Sequence, residues 1–311
     1  MIRTTKFRHI PRLVQTRLYS TEISPAQLSA LDKWIGSPNK LILSDRLSYE
    51  RVSDLYITLP TRDGMQRPYE EPQESQPLPY GHHFGFFHAR TPEALLKADG
   101  TDPELCPPDP FIRRMWTGGR IEWNNANPLL IGAKAASTAT VGSVAKKGFE
   151  KGKPMVFVNM KIDITMEGKS EPSVTETRAH VYLPPSQVKD VPTTSHFSFS
   201  FLPGLTTLFR FSALMFNAHH IHLDKDITQI HEGYPERLVH GPLTAMMLLE
   251  AAVFHNPGLK LKTFEYRATN PLIVNRKITI HGLWNDRKSA KLWCVDENGV
   301  VGMVGSIEKD V

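Results

Sequence analysis

Histidines crowd one short stretch of this chain. Phe211 to Pro242 reads FSALMFNAHHIHLDKDITQIHEGYPERLVHGP, with His219, His220 and His222 together and a His-Gly-Pro beginning at His240. An imidazole changes its charge near neutral pH and can both take and return a proton. Gly241 and Pro242 open the apolar run PLTAMMLLEAAVFH, with proline at the first turn of a helix ending at His255, where its missing N–H costs nothing. The free N–H groups of a helix start carry partial positive charge, and a glycine there lets a ligand come close to the backbone. A base beside such a helix start can add or remove water next to a thioester carbonyl. In that chemistry His222 handles the proton at the α carbon while the Gly241 N–H holds the developing oxyanion.

Other chemistries are weaker fits to the same residues. In an extended segment His220 and His222 would share one face with Asp224, but zinc needs three or four converging ligands, so no metal site is expected. Glu250 falls on the helix stripe Leu243, Met246, Met247, Glu250, Ala251, Phe254, where apolar residues belong. A carboxylate there is either a hydrolytic group or one held by a buried partner at an interface between halves.

The elements that must position these groups can be read around them. SPAQLSALDKWIG is a helix capped by Ser24 with Pro25 in its first turn and Gly36 as its stop. RLSYERVSDLYITL places Leu47, Val52 and Leu55 at helical spacing. Residues 60–110, rich in Pro, Gly and Glu around the aromatic patch YGHHFGFFHA, form an irregular excursion. Beyond Arg113, MVFVNMKIDI and TETRAHVYL alternate as half-buried antiparallel strands do, joined by RRMWTGGRIEWN and LIGAKAASTATVGSVAKK. After the proline-rich LPPSQVKDVPTTS the plan recurs: an irregular opening, one apolar helix, then the strands TFEYRATNPLI, RKITIHGLW, SAKLWCVDE and VVGMVGSIE. The chain therefore divides into two versions of one unit, a helix laid against a curled antiparallel sheet, at 20–185 and 195–311 with a linker at 186–194.

The first twenty residues carry Arg3, Lys6, Arg8, Arg12 and Arg17 and no acid precedes Glu22. This is the composition of a mitochondrial presequence, expected to span 1–19 and to be cleaved near Tyr19. Without those five bases, 32 Lys and Arg face 32 Asp and Glu, so the +5 formal charge belongs to the leader and gives no reason to expect a nucleic-acid partner. No stretch is long and apolar enough for a membrane span, and Cys106 and Cys294 lack metal or redox spacing, which points to reduced structural thiols.

FSALMFNAHHIHLD followed by EGYPERLVHGPL resembles the hydratase motif of the MaoC-like double hot-dog thioester dehydratases. The resemblance is to the branch that holds the mitochondrial type 2 3-hydroxyacyl-thioester dehydratases of fungi and the bacterial itaconyl-CoA and mesaconyl-CoA hydratases. PLPYGHHFGFF, LKADGTDPE, RRMWTGGRIEW, PMVFVNMKI, FEYRATNPLI and LWCVDENGVV carry it through most of the chain, in order. It implies an α+β double hot-dog fold and reversible dehydration of (3R)-3-hydroxyacyl thioesters to trans-2-enoyl thioesters, within matrix type II fatty acid synthesis. No cofactor is implied, because the substrate brings its own phosphopantetheine or CoA; the partner is acyl carrier protein or CoA, and the chain a monomer or homodimer. The family pattern Gly-Asp-x-Asn-Pro-x-His puts its last histidine on His222 but its acid on Asn217, which can orient a hydroxyl and cannot accept its proton. The resemblance thus implies His222, Asn217 and Gly241 as catalytic, with His219, His240, Arg120 and Trp116 on the substrate and one active site per chain. The alternatives are a short-chain enoyl-CoA or itaconyl-CoA type hydratase, a hot-dog thioesterase using Glu250, and an acyl-binding subunit without activity.

Overall fold

The computed structural model describes residues 23–62, 67–97, 99–109, 111, 114–151, 154–182, 192 and 194–310. The expected presequence and nearly all of the expected linker lie outside the described residues. The elements, in chain order, are α1 (Pro25–Ile35), β1 (Lys40–Arg46), α2 (Tyr49–Thr58), β2 (Met115–Trp123), β3 (Lys134–Lys147), β4 (Met155–Met166), β5 (Val174–Tyr182), β6 (Phe197–Phe201), α3 (Leu205–Leu214), α4 (His220–Leu223), α5 (Lys225–Ile230), α6 (Gly241–His255), β7 (Leu261–Ala268), β8 (Ile278–Trp284), β9 (Ser289–Asp296) and β10 (Val301–Lys309).

The ten strands form one antiparallel sheet in the order β1-β3-β4-β5-β2-β7-β10-β9-β8-β6. Read from either edge the order is the same: β1-β3-β4-β5-β2 on one side is matched by β6-β8-β9-β10-β7 on the other. The halves meet where β2 pairs with β7, from Gly118 opposite Arg267 to Glu122 opposite Thr263. This is the α+β double hot-dog expected from the sequence.

Local chemistry explains the helices that matter. Ser24 closes a capping box with Gln27, so α1 starts where expected. α6 is apolar on every side, and such a helix is stable only when surrounded. Every residue from Pro242 to Ala252 is buried, and Leu243, Ala245 to Leu249, Ala251 and Ala252 belong to one core cluster that also takes in Leu47, Val52 and Leu55 around α2 and Phe264, Ile278 and Leu292 of the second half. Burying each such large side chain contributes roughly 1.5–3 kcal/mol.

Gly118 makes the junction of the halves. It has φ +149°, and a Cβ there would stand 2.1 Å from the Tyr266 carbonyl oxygen. The register of β2 on β5 shifts between Trp116 and Gly118, a β-bulge. An extra residue in one strand inverts the side-chain parity beyond it, with consequences for the site.

Candidate active site

The histidine segment folds as a helical turn. His219 precedes α4 and donates its N–H to Asn217 Oδ1 at 3.0 Å, while Leu238 N–H bonds back to the Ile221 carbonyl at 2.8 Å. Three-residue spacing on a helix brings His219 and His222 to one side, with ring centroids 5.6 Å apart. His220 turns instead to Gly100 and donates its N–H to the Asp99 carbonyl. The extended arrangement that would align His220 with His222 is absent, and among the described residues no three His, Cys, Asp or Glu side chains converge to hold a metal.

His222 is buried, with Nδ1 2.8 Å from the Leu238 carbonyl oxygen. A carbonyl only accepts, so Nδ1 carries the proton and Nε2 is the basic nitrogen of the neutral ring. Burial lowers the His222 pKa to about 4, partly offset by the Leu238 hydrogen bond and deepened by Arg114. Burial holds His219 and His240 well below the usual histidine range as well, and their histidine neighbours add to this. His219 Nε2 lies 3.6 Å from Asp99 Oδ2, a carboxylate contributed by the first half.

A cavity of about 700 Å³ opens on these groups. His222, His219, Asn217 and Gly241 line it together with Trp116, His83, Phe84, Glu176, Arg178 and His180 of the first half, and Trp116 lies against Gly241. Gly241 is the first residue of α6, so its N–H has no acceptor within the helix. Asn217 Oδ1 is occupied by the His219 N–H, which fixes the amide with its NH₂ as the group available to a ligand. Arg178 Nε and Nη2 donate to the two Glu176 oxygens at 2.7 Å each, and the guanidinium stacks 4.3 Å from the Trp116 ring centre. Trp116 Nε1 donates to Tyr266 OH at 3.1 Å.

Five of the seven residues expected from the sequence therefore meet at one cavity. Two do not. His240 is fully buried behind His222: its ring stacks on that imidazole at 3.7 Å and bonds Ser212 Oγ through Nε2 at 2.8 Å. It supports the base and does not reach the cavity. Arg120 is 39 % exposed and bonds Glu122 and Glu265 on the outer face. The bulge after Trp116 explains the error, because Trp116 pairs with His180 on the inner face while Arg120 pairs with outward-facing Thr177. Arg120→Ala should leave kcat/KM within about two-fold and cost under about 1 kcal/mol, as exposed ion pairs do, in steady-state assays and thermal melts.

Sequence reasoning passed over Glu176, Arg178 and His180. Their signal was present in TETRAHVYL, where residues two apart on one face of a half-buried strand all carry polar groups. Glu250 is the paired carboxylate: Oε1 contacts His82 Nε2 at 2.9 Å and Oε2 accepts from Thr61 at 3.1 Å. It borders a separate cavity of about 320 Å³ away from His222.

The profile of a family described as hydroxyacyl-thioester dehydratase type 2 matches residues 81–274, more than half of the chain. The chain belongs to this family. Among relatives of the dehydratase, the mesaconyl-C(4)-CoA hydratase of Chloroflexus aurantiacus is 33% identical over 215 residues, 67% of this chain and 75% of that protein. The mitochondrial hydroxyacyl-thioester dehydratase type 2 of Schizosaccharomyces pombe is 27% identical over 289 residues, covering 81% of this chain and 95% of the relative. In fold the dehydratase is similar to a MaoC-like dehydratase from Phytophthora capsici, with TM-score 0.66 at 13% identity over 90% of this chain and 97% of that one. It is also similar to HtdX of Mycobacterium tuberculosis, with TM-score 0.59 at 11% identity over 87% and 100% of the two chains. Family membership makes the chain a hydro-lyase acting on 3-hydroxyacyl thioesters.

Proposed function

We propose that the dehydratase converts (3R)-3-hydroxyacyl thioesters reversibly to trans-2-enoyl thioesters and water by a single-base mechanism centred on His222. His222 Nε2 takes the α proton, and the C–H electron pair becomes the new double bond. The Gly241 N–H stabilises the thioester oxygen as negative charge builds on it. The C3–O bond breaks as the imidazolium returns its proton to the departing hydroxyl, which leaves as water; the Asn217 amide NH₂ orients that hydroxyl and does not exchange a proton with it. One observation carries this reading: the buried neutral imidazole of His222 and the N-terminus of α6 line the same cavity.

The basic, acid-free leader and the mitochondrial relative in Schizosaccharomyces pombe support a matrix location. There the acyl group would be carried by the acyl carrier protein of type II fatty acid synthesis, with one active site per chain. Turnover of 3-hydroxyacyl groups presented on carrier protein and on CoA, followed by enoyl absorbance with a free-thiol assay in parallel, tests the proposal. Enoyl formation without thiol release is expected, and thiol release alone would replace it with hydrolysis.

Gly241→Ala probes the oxyanion contact. The added Cβ meets Trp116 Cβ at 3.4 Å, an ordinary contact, so the fold should hold. The methyl crowds the N–H, and kcat should fall by about ten-fold, a fraction of the two to three powers of ten that a lost oxyanion donor costs. Thermal melts and steady-state kinetics on the same preparation check both halves.

A further inference from the structure

Among the described residues two cavities share one lining side chain. His83 borders both the catalytic cavity and the second one of about 320 Å³. We propose that His83 is a plug that ends the acyl tunnel, and that the second cavity continues it behind the plug, reserved for the distal carbons of longer chains. The inference rests on the thioester reading of the catalytic cavity.

The two cavities lie in line along α6. Gly241, Pro242 and Thr244 at its start face the catalytic cavity, while Leu249, Glu250 and Val253 further along face the second. Between them the 3-10 turn His82–Gly85 lies across the helix. Gly81 makes that crossing possible: it has φ +82°, and a Cβ there would stand 3.0 Å from Leu249 Cδ1 and 3.4 Å from Met246 Cγ. Both flanks of the turn are fastened. His82 holds Glu250 on α6, and His83 Nε2 lies 3.5 Å from Glu176 Oε2 on β5. The His83 ring, 3 % exposed, is therefore fixed in the dividing wall.

What lies behind the wall suits a hydrocarbon end. Leu78, Tyr80, Trp123, Leu129, Leu249 and Val253 make most of the lining of the second cavity, with Arg67, Asn124, Asn125 and Ser173 as its polar part, and the carboxylate of Glu250 is already held by His82 and Thr61. From the Gly241 N–H, the point where Gly81, two residues before His83, crosses α6 at Met246 and Leu249 is about 8–12 Å along the helix axis at 1.5 Å per residue, which sets the scale of the distance to the wall. An extended chain advances about 1.2 Å per bond, so an acyl group anchored at Gly241 meets His83 after about seven to ten bonds. Chains of up to about ten carbons fit in front of the plug.

The test is a ladder of (3R)-3-hydroxyacyl-CoA substrates from four to sixteen carbons, run on the wild-type full chain and on His83→Ala. For the wild type, kcat/KM should fall at least ten-fold between about ten and fourteen carbons. His83→Ala should raise the ratio of fourteen-carbon to six-carbon turnover by ten-fold or more. Adding Val253→Phe, which fills the second cavity from its far side, should return that ratio toward the wild-type value. A wild type without a cut-off, or a folded His83→Ala with the wild-type cut-off, overturns the plug. The wild-type ladder decides even if His83→Ala does not fold. Failure of the underlying reading looks different, because no chain length would then yield the enoyl product.

Discussion

His222→Ala lowers kcat/KM by about two to four powers of ten, the usual worth of a positioned acid/base, while substrate still binds in the cavity. Two of its neighbours cannot substitute for it. His240 lies behind it, and Asn217 exposes an amide that cannot take a proton at neutral pH. Truncation also leaves the Leu238 carbonyl without its donor, which costs about 1–3 kcal/mol and clouds a low activity. His222→Asn separates the two effects, because its amide can donate to Leu238 and has no basic nitrogen. Both variants should lose activity alike, with the asparagine variant melting nearer the wild type. Retained turnover in a folded His222→Asn would move the base elsewhere.

The pH profile carries the same assignment. A base works in its neutral form, and burial brings the His222 pKa down to about 4 from the ordinary 6.5. The free-enzyme profile, kcat/KM against pH, should therefore stay level from neutrality to about pH 5 and fall as pH drops through 4; an exposed histidine would already lose activity near 6.5. Stability follows with a definite sign. His219, His222 and His240 bind protons more readily unfolded than folded, so each removes stability as pH falls below about 6.5, the loss for His222 being complete near 4. Chemical denaturation between pH 7 and 4.5 should show a midpoint that falls steadily with acidification.

How much of this was legible in the sequence depends on whether a feature was local. α6 was readable because a run with apolar residues on every side, as from Pro242 to Ala252, can only be buried, and eight strands because their alternation or flanking turns were clear. β1 and β6 were not recognised. β1 is an edge strand with no fully buried residue to mark an inner face, and the strict alternation of FSFSF in β6 is only five residues long, next to a proline-rich stretch. α3 was hidden because its residues ran into the histidine motif and were read with it. At the site, His222, Asn217 and Gly241 were found through spacing on one piece of chain. Glu176, Arg178 and Asp99 belong to the other half, and their approach depends on the β2–β7 pairing, a long-range register that no window of sequence contains. Arg120 failed for a related reason: one bulged residue at Thr117 changed which face it occupies.

The same hidden half supplies the prediction with the largest expected effect on stability. Glu176 is fully buried, and burial alone would raise its pKa; Arg178 and His83 outweigh that and hold it down at about 2 against an ordinary 4.5. At 1.36 kcal/mol per unit, this ionised pairing contributes on the order of 3 kcal/mol. Arg178→Met removes the cation that also stacks on Trp116, leaves a carboxylate at zero exposure, and should cost about 3–5 kcal/mol. In a chain of this size that is a fall in Tm on the order of 10 °C. Glu176→Leu combined with Arg178→Met removes both charges and should recover most of the loss, because an apolar pair of similar volume no longer has a charge to desolvate. Acid supplies the independent check. A carboxylate with a depressed folded pKa contributes stability that is present above about 4.5 and lost as pH falls toward 2. The Arg178→Met variant, whose Glu176 has lost its cation and protonates at higher pH, has less of that stability to lose. Denaturation curves of wild type and variant should therefore converge as pH falls from 5 toward 3, and a gap that stays constant across that range would mean the arginine acts through packing and not through its charge.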